Sequence, residues 1–128
     1  CGTAVLGLLA VKLGALSALA VDIDDAAVKT ARQNIDNNGE RNKIEVMRGT
    51  LDDVPEQTYD LIFINIIADI IIDISKGIKK YVKSGTNIIL SGIIKERKAE
   101  VKGKYLDLGF TIIEEVNMGE WEAMVFRA

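Results

Sequence analysis

The chain has 128 residues, 48% of them apolar and 27% charged, with a formal charge of −3; this fits one soluble globular domain and offers no basic excess for nucleic-acid phosphates. A single cysteine and no histidine exclude an internal disulfide framework and leave no expected metal site and no Ser-His or Cys-His nucleophile pair. The most apolar stretch, residues 61–74, is interrupted by Asn65, Asp69 and Asp73 and is too short and charged to cross a bilayer. With no signal pattern at the start, the expected setting is reducing and cytoplasmic.

Apolar spacing predicts a first helix from Ala4 to Leu13, stopped at Gly14, and a short apolar strand from Ala18 that ends on Asp22. Asp24 or Asp25 is placed to cap a helix from Ala26 to Asn37, with Ala27, Val28, Ala31 and Ile35 on one face and Asn38-Gly39 at its end. Ile44 to Met47 reads as the next strand. A polar turn containing Pro55 leads to a strand from Tyr59 to Ile64, then to a helix from Asp69 to Val82 that turns Ile70, Ile71, Ile74, Ile78 and Tyr81 inward.

Ser84-Gly85 introduces a strand from Thr86 to Leu90, and a charged helix from Glu96 to Leu108 stops at Gly109. The rhythm then changes. Phe110 to Val116 and Trp121 to Phe126 are strands separated by Asn117-Met118-Gly119-Glu120, too few residues for a crossover helix, so they form a hairpin. The result is an α/β fold: a mostly parallel sheet with one antiparallel strand near its edge. Trp121, alternating with Ala123 and Val125, is expected in the core. The lysines and arginine from Lys76 to Lys104 are expected on solvated helix faces.

Two strands end on polar residues where their pattern asks for aliphatic ones. In open parallel sheets the ligand crevice lies at the carboxyl ends of the strands, so Asp22 and Asn65 are the leading candidates for a site. Asp22 can accept hydrogen bonds from ribose hydroxyls, and would serve a nicotinamide cofactor equally well. Asn65 offers both an acceptor and a donor. Thr50-Leu51, after the strand ending at Met47, is either a plain turn or a segment that lines a purine edge. Asp69 stands where a helix begins and reads first as a cap.

At the amino end, Cys1-Gly2-Thr3 resembles the second half of a glycine-rich strand-to-helix turn, with Ala4 where another glycine might sit. The strand feeding that turn is absent from the sequence. In a doubly wound sheet it would lie centrally, between the strands ending at Asp22 and Asn65, so residues 1–128 are expected to form an amino-terminally truncated fragment of such a domain.

The ordered segments CGTAVLGLLAVKLGA, AVDIDDAAVKTARQNIDNNG, YDLIFINIIAD, IILSGI and GEWEAMVFRA resemble the catalytic domain of bacterial ribosomal-protein lysine methyltransferases, those modifying large-subunit protein eleven. Its most specific parts are the Asn-Ile-Ile-Ala-Asp string at 65–69, Leu-Ser-Gly-Ile at 90–93 and the Glu-Trp pair at 120–121. The resemblance implies a class I S-adenosylmethionine-dependent, Rossmann-like fold. It also implies S-adenosylmethionine as cofactor, the ribosomal protein as partner, and neither nucleic acid nor membrane. Gly2 and Thr3 would lie in the cofactor loop, Asp22 and Ile23 at the ribose, Leu51 near the base, and Asn65 between cofactor and substrate amine. The alternatives are the same fold acting on another protein lysine or small amine, a nicotinamide-binding domain, and a non-catalytic domain. The hairpin and the incomplete glycine fingerprint argue against the nicotinamide reading.

Overall fold

A computed structural model of the chain describes residues 4–128, which divide into two compact units meeting at Val54 and Pro55. The first unit contains α1 (Val5–Lys12), β1 (Ala18–Asp22), α2 (Asp25–Asn37) and β2 (Ile44–Arg48), followed by a 3-10 turn at Leu51–Asp53. β1 and β2 pair in parallel, from Ala18 opposite Ile44 to Asp22 opposite Arg48. Asp24 caps α2, its carboxylate accepting the Ala26 N–H at 3.1 Å, so the capping role goes to Asp24 of the two expected candidates. Ala4, Val11, Ala31, Ile35 and Ile44 form the buried centre, with Leu8, Ala18 and Val46 packed on it. Ala4 is buried with φ 63°, a left-handed conformation that costs an L residue about 1–2 kcal/mol. A glycine would adopt it freely.

The second unit contains β3 (Leu61–Asn65), α3 (Ala68–Ile74), β4 (Asn87–Ile94), α4 (Lys98–Asp107), β5 (Thr111–Met118) and β6 (Trp121–Arg127). Its sheet has the order β3-β4-β6-β5. β3 and β4 are parallel, and β6 runs antiparallel to both of its neighbours. One antiparallel strand therefore sits next to the edge, as the hairpin pattern requires. The inward face carries Ile88, Leu90 and Ile93 of β4 with Met124 and Phe126 of β6, covered by Ile71 of α3 and Val101 and Tyr105 of α4. The Tyr105 ring packs 5.6 Å from Phe126, and its hydroxyl donates to the Ile71 carbonyl at 3.0 Å. That bond ties α4 to α3, and burial raises the phenol pKa.

Several expectations are corrected, among them an inward Ile70, which is exposed. The helix predicted from Asp69 to Val82 stops at Ile74, and a 3-10 turn at Ile78–Tyr81 follows; the Ser75 hydroxyl donates to the Ile72 carbonyl at 2.6 Å and Gly77 then turns the chain. Asp69 is not the cap, because the helix starts earlier and Ile67 holds the N-cap position.

Trp121 is not core. It is 53% exposed, while Glu122, Met124 and Phe126 form the buried alternation of β6. The inward Glu122 is accommodated by Asn117, whose amide donates to it at 2.7 Å, and by Lys98 at 3.5 Å. Lys98 and Lys102 accordingly lie across the hairpin at Glu115 and Glu122 instead of on an open face. No helix among the described residues is long and apolar enough to cross a membrane.

Candidate functional site

In the first unit the polar ends of β1 and β2 are adjacent. The Asp22 carbonyl accepts the Gly49 N–H at 2.9 Å, and the Asp22 carboxylate accepts the Asp24 N–H at 2.9 Å. One carboxylate oxygen is thus fixed by the backbone two residues on, which sets the orientation of the whole group. Ile23, directly after it, is exposed, and its carbonyl accepts the Arg48 guanidinium at 3.3 Å.

Beyond β2, Asp53 reaches back to the Thr50 N–H at 2.8 Å and to the Thr50 hydroxyl at 3.3 Å. This holds half-buried Leu51 at the start of the 3-10 turn. A Cβ on Gly49 would lie 2.7 Å from the Asp53 carboxylate, so glycine there is what lets the acid swing back. The structure brings Asp22, Ile23 and Leu51 to neighbouring strand ends. Gly2 and Thr3 lie outside the described residues.

In the second unit Asn65 is the last residue of β3, exposed, and paired in register with Ser91 of β4. Gly92 follows at φ 78°, where β4 bulges: Leu90 opposes Met124 and Ile93 opposes Glu122, so that Ser91 and Gly92 together face the single Ala123 of β6. A Cβ on Gly92 would lie 2.6 Å from the Asn65 carboxamide oxygen and 3.2 Å from the Ile66 carbonyl. The Asn65 side chain therefore rests against bare backbone. Sequence reasoning did not assign Gly92 a place, although a lone glycine inside an apolar strand is the signal of a bulge or a close approach.

The hairpin closes the same end of the sheet: Trp121 opposes Ile94, and the Lys95 N–H donates to the Glu120 carbonyl at 3.0 Å. The three strings singled out in the sequence, at 65–69, 90–93 and 120–121, thus converge at the carboxyl ends of β3 and β4. Asp69 is held by Arg97 at 2.7 Å. The described residues contain no cluster of His, Cys, Asp and Glu able to hold a metal ion.

Comparison with known proteins identifies the family and the fold. The family model described as ribosomal protein L11 methyltransferase (PrmA) matches residues 1–128. The chain belongs to that family. Among curated ribosomal protein L11 methyltransferases, that of Acetivibrio thermocellus is 46% identical over 99% of this chain and 40% of its own length. The chain thus spans about two fifths of the length of such relatives. The crystal structure of ribosomal protein L11 methylase from Lactobacillus delbrueckii subsp. bulgaricus superposes with a TM-score of 0.90 at 28% identity, over 97% of this chain and 64% of that one. A putative tRNA (m1A22) methyltransferase of Streptococcus pneumoniae, solved in complex with S-adenosyl-L-methionine, has a TM-score of 0.81 at 24% identity, over 98% of this chain and 62% of that one; this likeness concerns the fold alone. The fold of this chain is thus of the class I, Rossmann-like kind, with an antiparallel hairpin at its carboxyl end.

Proposed function

We propose that this chain is the catalytic domain of an S-adenosylmethionine-dependent N-methyltransferase that acts on amino groups of ribosomal protein L11. The observation that carries the reading is the Asn65 carboxamide, exposed at the carboxyl end of β3 and backed by Gly92, at the strand ends where α/β sheets bind ligands. Family membership over the whole chain supports the reaction and the protein substrate.

The residues present suit such a cofactor. Asp22 is a carboxylate fixed through one oxygen by Asp24, of the type that accepts ribose hydroxyls. Exposed Ile23 and half-buried Leu51 are apolar partners for a purine. Gly2 and Thr3, outside the described residues, are assigned to the same cofactor by the family resemblance. The bound cofactor supplies an electrophilic methyl on a positively charged sulfur, so no strong base is needed at contact distance.

What the protein must do is present a neutral amine in line. A lysine amine has an ordinary pKa of about 10.4, so desolvation and neighbouring positive charge must favour its deprotonated form. Asn65 accepts one N–H of that amine and aims its lone pair, lowering the barrier through orientation. Calorimetric titration with S-adenosylhomocysteine, with NADH as control and circular dichroism to verify folding, tests the cofactor assignment. Binding of the homocysteine compound alone is expected; binding of NADH would overturn it. In the intact protein, Asn65→Ala should lose L11 methylation far more than stability, and wild-type turnover would refute the assigned role.

A further inference from the structure

We infer that Gly92 is a positioning residue for the methyl transfer proposed above, holding the Asn65 carboxamide in its working orientation because it has no side chain; the inference rests on that reading of Asn65. Two independent features of the backbone single the position out. At φ 78° Gly92 adopts a conformation that L side chains avoid, and it is the extra residue of the β4 bulge. The space a Cβ would need is already taken by the Asn65 oxygen at 2.6 Å, with the Ile66 carbonyl and N–H at 3.2 and 3.4 Å behind it.

The second unit has other glycines with positive φ, at 85, 109 and 119, and none of them has an atom within 4 Å of its Cβ position. Strain is therefore common to all four, whereas steric contact with a site residue belongs to Gly92 alone among them. Ile66 cannot yield easily, since its contacting atoms are backbone. The Asn65 side chain, which is exposed, is the group that must move. A Gly92→Ala change would thus swing the carboxamide off its perch, and displacements of about an ångström at a reacting centre cost on the order of a hundredfold in rate.

The experiment is a double-mutant cycle in the intact protein, with Gly109→Ala as a control of similar strain. L11 methylation and the NMR signal of the Asn65 side-chain amide, assigned by its loss in Asn65→Ala, are the two readouts. Gly92→Ala is expected to lower kcat about a hundredfold with KM for L11 unchanged, to shift the Asn65 amide signal, and to add nothing in the Asn65→Ala background. Gly109→Ala should leave kcat and the amide signal as in wild type.

An unshifted amide signal, or a Gly92→Ala loss that persists in full without Asn65, would overturn the inference while leaving Asn65 its role. Wild-type turnover in Asn65→Ala would instead refute the reading on which both stand. Should Gly92→Ala fail to fold, the Asn65→Ala/Gly92→Ala double variant should be more stable than Gly92→Ala alone, because the clashing oxygen is gone and only the longer Ile66 backbone contacts remain. A double variant as unstable as the single one would refute the contact.

Discussion

The Arg97 guanidinium lies 2.7 Å from the Asp69 carboxylate, joining the residue that precedes α4 to the first turn of α3. Arg97 also meets Glu100 at 2.8 Å. Its pKa is raised by the hydrogen bond to Asp69 first and that to Glu100 second, so it keeps its charge at any working pH. Asp69, inside the string that begins at Asn65, is accordingly a brace and not a reacting group. Asp69→Asn should lower the urea midpoint slightly, since the pair is largely exposed, while the L11 methylation proposed for the intact protein stays near wild type. A loss of turnover matching that of Asn65→Ala would place Asp69 in the chemistry.

The outward orientation of Trp121 makes an opposite pair of predictions. Phe126, fully buried against Tyr105, should cost about 3–5 kcal/mol when changed to alanine. Trp121→Ala should leave the denaturation midpoint almost where it was, despite removing the larger side chain. Parallel urea titrations of the two variants decide which face of β6 is the core.

Glu122 is 4% exposed, and its second carboxylate oxygen has Lys98 at 3.5 Å, an ion-pair distance without a hydrogen bond. Desolvation pulls the Lys98 pKa down, but the charges of Glu122 and Glu115 outweigh it and the net shift is upward. Breaking such a pair from one side is worse than replacing both members, because one charge is left buried alone. Lys98→Met should therefore destabilise the protein, and Lys98→Met/Glu122→Leu should recover stability relative to that single variant. Thermal melts at neutral pH test the order, which reverses if the pair is merely superficial.

Glu115 gives the fold an acid-sensitive contact. The hydrogen bond from Lys102 is the main cause that lowers its pKa, with Lys98 adding to it against a smaller desolvation effect. A carboxyl whose folded pKa is depressed stabilises above its unfolded value, about 4.3 for glutamate, and loses that contribution as pH falls through the folded value. Wild type should thus exceed Glu115→Gln in stability at pH 7, and the gap should close as the pH falls below about 4. Urea unfolding of both proteins across that range provides the measurement; a gap that persists in acid would assign the contact to packing.

Local signals carried most of the fold. Asp22 and Asn65 end apolar runs, Asp24 and Asn38-Gly39 frame α2, and the short gap between the last two apolar runs, only Gly119 and Glu120 in the structure, permits only a hairpin. What was hidden depends on partners distant in sequence. The inward face of β6 is decided by where α4 lays Tyr105 and Lys98, so Trp-Ala-Val looked as buried as Glu-Met-Phe until those partners were placed. The break after Ile74 was misread because its isoleucines keep a helical period through Ser75 and Gly77. The contact of Gly92 with Asn65 follows from the register of β3 on β4, which no local pattern encodes.

Gly92 is the one residue of β4 that the ladder does not need. Without it, Leu90 and Ile93 would stand two positions apart, facing Met124 and Glu122 across an unbroken strand pair. Deleting a single glycine would straighten the strand, leave the hydrophobic packing in place and erase the recess behind Asn65. A shortened chain that melts like the parent yet transfers no methyl group would separate the domain as scaffold from the domain as enzyme.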